Sequence, residues 1–96
     1  MKRLDLIFSE RELNQVLKAL DESKVPGYSV MKHVTGRGPG PNSSVSEDME
    51  FSGLGANAHV IVFCEESILT EIKTNIEPIL SYYGGVAYIA DATSLF

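Results

Sequence analysis

The stretch GRGPGPNSSVSEDMEFSGLG, Gly36 to Gly55, interrupts a regular pattern of strands and helices and cannot bury a core of its own. A loop of 20 residues is uncommon inside a compact domain and is usually functional or a linker. As a linker it would have to join two domains. Roughly 40 residues on either side are too few for two independent cores. The chain, residues 1–96, therefore reads as a single domain from which the loop projects. Its opening, Gly36-Arg37-Gly38, lets backbone N–H groups approach an anion closely with a guanidinium beside them, although glycines that only turn the chain read the same way.

Upstream of the loop, Arg3 to Phe8 alternates, with Leu4, Leu6 and Phe8 on one face. Ser9 and Glu12 form an S-x-x-E capping box, and Leu13, Val16, Leu17 and Leu20 keep the spacing of a helix with one apolar stripe. Pro26-Gly27 closes the connection, and Tyr28, Val30, Lys32 and Val34 alternate with Ser29, Met31, His33 and Thr35 in a second strand. Downstream, Ala56 to Cys64 reads as a central strand, with Ala58, Val60, Val62 and Cys64 on one face. Ser67 is placed to cap a second helix through Tyr83, and Pro78 predicts a kink or short break near Glu77. Gly84-Gly85 stops that helix, and Val86 to Asp91 is a fourth strand.

The order strand, helix, strand, long loop, strand, helix, strand predicts an α+β protein of ferredoxin-like βαββαβ type. Its antiparallel four-stranded sheet carries both helices on one face. Ile7, Met31, Ile61, Phe63 and Ile89 are expected on the other face, which argues for association with further copies through it. A net charge of −5 without a basic run disfavours a nucleic-acid partner. Apolar runs are far below the roughly 18 residues of a membrane span, and the expectation is a soluble, cytoplasmic protein. The single cysteine, Cys64, lies in an apolar run and reads as a buried, inert thiol.

Neither His33 nor His59 has a second ligand at metal spacing, so both read as ordinary strand histidines. The serines of Asn42 to Ser46 lack a nucleophile elbow or local base. Glu47, Asp48 and Glu50 suit a basic partner, a cation or plain solubility equally well.

Gly27-Tyr28-Ser29-Val30-Met31 followed by Gly36-Arg37-Gly38 resembles the second strand and loop opening of the PII signalling superfamily. Asp21-Glu22-Ser23, Ala56-Asn57-Ala58-His59-Val60 and Tyr83-Gly84-Gly85-Val86-Ala87-Tyr88-Ile89 resemble its PII-like, transporter-associated branch, the SbtB type. The resemblance spans nearly the whole chain. It implies a homotrimer that binds adenine nucleotide in clefts between subunits, and a T-loop, here 36–55, that docks on a membrane transporter for bicarbonate or another anion. It places Gly27 and Ser29 near adenine or ribose, Gly36, Arg37 and Gly38 near phosphate, and Gly84 and Gly85 in the turn that closes over the ligand. Val86 stands where nitrogen-regulatory PII proteins carry a phosphate-binding lysine, and the loop has no tyrosine to uridylylate. With no C-terminal arginines up to Phe96, AMP, cyclic AMP or ADP is expected in preference to ATP, with bicarbonate as a candidate second effector, and Lys32 as a second charge. The expectation is a regulator and not an enzyme; the competing readings are a weak nucleotide hydrolase and a trimeric metal-tolerance protein of the CutA type.

Overall fold

A computed structural model describes residues 1–35 and 57–96. The expected loop, and with it Gly36, Arg37 and Gly38, lies outside the described residues. The elements run β1 (Lys2–Ser9), α1 (Leu13–Glu22), β2 (Ser29–Val34), β3 (Asn57–Cys64), α2 (Leu69–Tyr83) and β4 (Val86–Asp91), with one 3-10 turn ahead of each helix. The sheet order is β2-β3-β1-β4, and every neighbouring pair is antiparallel. This is the ferredoxin-like βαββαβ arrangement predicted from the order of elements.

The β1–β3 register sets Leu4 opposite Val62, Leu6 opposite Val60 and Phe8 opposite Ala58. Residues directly opposite in an antiparallel pair share a face. That face packs beneath Leu13, Val16, Ala19 and Leu20 of α1 and Ile72 and Ile76 of α2 to make one core. Where the helices meet, the buried Ser23 hydroxyl donates to Ala19 O at 2.7 Å and accepts from Asn75 Nδ2 at 2.8 Å. The end of α1 is thereby tied to α2.

Three local expectations are corrected. The capping box does not close: Ser9 is still the last strand residue, opposite Asn57, and its Oγ accepts from Arg11 N at 3.4 Å in a 3-10 turn. Glu12 instead accepts from Gln15 Nε2 at 3.0 Å. Ser67 sits inside the second 3-10 turn and caps nothing, because α2 begins two residues later at Leu69. Finally, of the kink or short break expected near Glu77, the break does not occur, and α2 continues through Pro78. Pro78 is exposed and forfeits one backbone bond to solvent, while Ile72 and Ile76 on the inner side hold the helix to the core.

Two side chains change faces. Ile89 stands opposite Leu4, on the helix side, and not on the open face. Strict alternation puts Val34 on the face of Val30, but the register slips by one residue between Met31 and Val34. At the slip His33 adopts φ 59, a left-handed conformation and a bulge geometry. A bulge inserts one residue into the count, so Val34 arrives opposite Asn57 with its face reversed.

Candidate functional site

Both glycines of the turn between α2 and β4 take conformations that L side chains avoid, φ 92 at Gly84 and φ 136 at Gly85. Gly84 N donates to Leu80 O at 2.9 Å and ends the helix. A methyl group at Gly85 would lie 2.9 Å from Ile7 O and 2.9 Å from Phe8 Cβ. The turn is therefore pressed against the end of β1.

At the same end of the sheet, β2 hands the chain over to the loop. His33 N donates to Glu10 Oε2 at 2.9 Å, and the His33 ring Nδ1 lies 3.2 Å from the same oxygen. Lys32, just before the bulge, is exposed.

Gly27 and Ser29 lie elsewhere. Ser29 is opposite Ile61, which is opposite Asp5, whereas Val86 beside the turn is opposite Ile7. Counting register at about 3.4 Å per residue and about 4.8 Å per strand, Ser29 and Gly85 are roughly 17 Å apart across the sheet. Gly27 is further still, with nothing within 4 Å of the position a Cβ would take. One protomer thus brings Gly84, Gly85 and the root of the loop to one end and leaves Gly27 and Ser29 towards the other.

The open face of the sheet carries a cluster of residues that are scattered along the sequence. Arg3 donates from Nε and Nη2 to the two carboxylate oxygens of Asp5, each at 3.0 Å. His59 Nε2 donates to Asp5 Oδ1 at 2.7 Å. The Arg3 guanidinium holds the Asp5 carboxyl below its ordinary range, and the hydrogen bond from His59 adds to this. Arg3 also lies 5.9 Å from the Phe63 ring centroid. Around the cluster, Met31, Phe63 and Tyr88 are exposed on the same face. His59 is thus a partner of Asp5, and only its register against Asp5 could have revealed the pair, since they are 54 positions apart.

Burial pushes the Cys64 thiol up, away from the reactive thiolate. Among the described residues no group of three His, Cys, Asp or Glu side chains converges as a metal site. A groove of about 560 Å³ opens between α2 and β4, walled by Leu4, Leu6, Ile72, Ile76 and Ile89 and reaching Gly85. Its walls are mostly apolar, with Thr70, Lys73, Glu77 and Ser81 contributing from α2, which suits an apolar side chain better than a phosphate. Val86 is opposite Ile7 on the open face, so no side chain from this position offers phosphate the charge a lysine would.

The chain is thus a ferredoxin-like protein with a long β2–β3 connection and a glycine turn into β4. A sequence model of the family described as nitrogen regulatory protein P-II matches residues 1–95, and the chain belongs to that family. This favours P-II over the CutA-type alternative. A search of curated proteins finds no match. Among solved structures, the chain is similar to the apo form of CPII, a nitrogen regulatory PII-like protein from Thiomonas intermedia K12. That match has a TM-score of 0.76 at 18% identity, over 95% of this chain and 87% of that one. CPII bound to ADP, AMP and bicarbonate matches with a TM-score of 0.75 at 19% identity, over 95% and 88%. A PII-like signalling protein from Thermus thermophilus gives 0.66 at 14% identity, over 93% and 82%. No helix among the described residues is long and apolar enough to cross a membrane.

Proposed function

We propose that the chain is a non-catalytic nucleotide sensor that works as a homotrimer. The observation that carries this is that the candidate positions do not meet within one protomer, the loop root on β2 itself lying about 15 Å across the sheet from the turn into β4. Gly84, Gly85 and the loop root occupy one end of the sheet, while Gly27 and Ser29 lie roughly 17 Å or more away in the same protomer. A second protomer brought edge to edge supplies the missing half, and the open face with Met31, Phe63 and Tyr88 supplies the contact that holds the copies together. Gly36, Arg37 and Gly38 then receive phosphate, Gly27 and Ser29 the adenosine, and Gly84 and Gly85 close over it.

The ligand is an adenine nucleotide, AMP, cyclic AMP or ADP, since Val86 offers no charge to a third phosphate. CPII structures hold ADP with AMP or with bicarbonate, which makes bicarbonate the first candidate for a second effector. Ligand binding biases the loop at 36–55 between states of different affinity for a partner. In the SbtB-type reading that partner is a membrane transporter for bicarbonate or another anion, and the protein is cytoplasmic and recruited to it.

Isothermal titration with AMP, cyclic AMP, ADP and ATP, each with and without bicarbonate, tests the reading. Micromolar binding of an adenine nucleotide is expected, weakened about tenfold or more by Arg37→Ala with the oligomer intact. No binding of any nucleotide overturns the sensor; unchanged affinity in the variant overturns the phosphate role of Arg37.

A further inference from the structure

The left-handed His33 is held by a residue from a different element. A bulge takes one backbone N–H out of the sheet ladder, and at His33 that N–H donates to Glu10 Oε2 at 2.9 Å. The same oxygen lies 3.2 Å from His33 Nδ1, so one carboxylate serves both the backbone and the ring. The Glu10 side chain is 19% exposed, whereas that of His33 is 77% exposed. The anchor is seated and the residue it holds is not.

Glu10 follows directly on Phe8 and Ser9, the end of β1, against which the Gly84–Gly85 turn is pressed. The end of β1 and the 3-10 turn that follows it therefore touch both parts of the candidate site that this protomer contributes at this end of the sheet. Without the bulge, Val34 would keep the face of Val30, and the chain would leave the sheet turned to the opposite side.

We propose that Glu10 is a positioning residue for ligand binding, a latch that keeps His33 left-handed and so sets the direction in which the chain leaves β2. It touches no ligand. The inference rests on the nucleotide-sensor reading for its effect on affinity, but the latch itself is read without nucleotide.

Two measurements on the full chain test it. In the first, amide hydrogen exchange is followed in wild type and Glu10→Ala without nucleotide. The His33 amide is expected to exchange at least about tenfold faster in the variant while the β3 amides keep their rates. In the second, ADP is titrated into wild type, Glu10→Ala and the double variant Glu10→Ala/His33→Gly. Affinity is expected to fall about fivefold or more in Glu10→Ala. It should return to within about twofold of wild type in the double variant, because glycine keeps a positive φ without an anchor. General loss of packing could not be repaired by removing a second side chain.

Unchanged exchange at His33 overturns the latch. Unchanged ADP affinity in Glu10→Ala, or no rescue by His33→Gly, overturns its positioning role. Failure of wild type to bind ADP overturns the nucleotide reading instead, and the exchange result then decides the latch alone.

Discussion

Gly27 and Gly85 look alike in the sequence, yet a methyl group at each has opposite consequences. At Gly85 it meets Ile7 O and Phe8 Cβ at 2.9 Å on a backbone with φ 136. Gly85→Ala is expected to cost about 2–4 kcal/mol of folding stability, measured by urea denaturation. Gly27→Ala meets nothing within 4 Å and should leave stability within about 0.5 kcal/mol, so any loss of nucleotide affinity in it reports on the ligand. Asp5 gives a pH signature. Its carboxyl is held low by Arg3 and then by His59, so its contribution is present above the ordinary carboxylate range, near 4, and is lost as pH falls through the depressed folded value. Asp5→Asn should therefore be less stable than wild type at pH 7, by on the order of 1 kcal/mol because Arg3 is partly exposed. The gap should close towards pH 2, which paired denaturation curves would show. Both positions were legible as candidates, Gly85 as part of the glycine stop after the second helix and Gly27 through the family resemblance. Their difference was not, because it depends on how closely β1 approaches Gly85.

At the scale of elements, periodicity recovered the strands and helices, and their ends were read less well. The boundaries of β4 agree at both ends, whereas α1 and α2 each begin after a 3-10 turn, the first capped by Ser9 and the second without a side-chain cap, so both helices start later than their serines suggest. Pro78 shows the limit of local propensity. Proline costs a helix interior about 3 kcal/mol, yet α2 passes through it because Ile72 and Ile76 are buried in the core and the proline faces outward. Pro78→Ala restores a backbone donor and should raise stability by about 1–2 kcal/mol, after allowance for the freer unfolded chain, read as an increase in Tm. The bulge in β2 is the counterpart in the sheet. Lys32-His33 carries no glycine or other mark of a bulge, so alternation read straight through it and assigned Val34 to the wrong face.

For the whole molecule, the helix side of the sheet is closed and the other side is not. Phe63 is 48% exposed and Tyr88 57% exposed, next to the half-buried Arg3–Asp5–His59 cluster. If the copies assemble through this face, Phe63→Glu should dissociate them while each protomer stays folded, since Phe63 lies outside the core. Light scattering after gel filtration would show the mass falling to that of one chain, and an unchanged mass would reject this face as the interface. The sequence by itself determined the order of elements, the ferredoxin-like class, the inward stripe of each helix and the family. All of these rest on repeats of two and 3.6 residues and on short motifs that lie within a few positions of one another. Only the tertiary structure decided that Ile89 faces the helices, that Val34 is turned over, that Asp5 binds His59, that Glu10 holds His33, and that Gly27 and Gly85 lie far apart. Each of these depends on the register between strands distant in the chain, which follows from the closure of the whole sheet over its core and has no local signature.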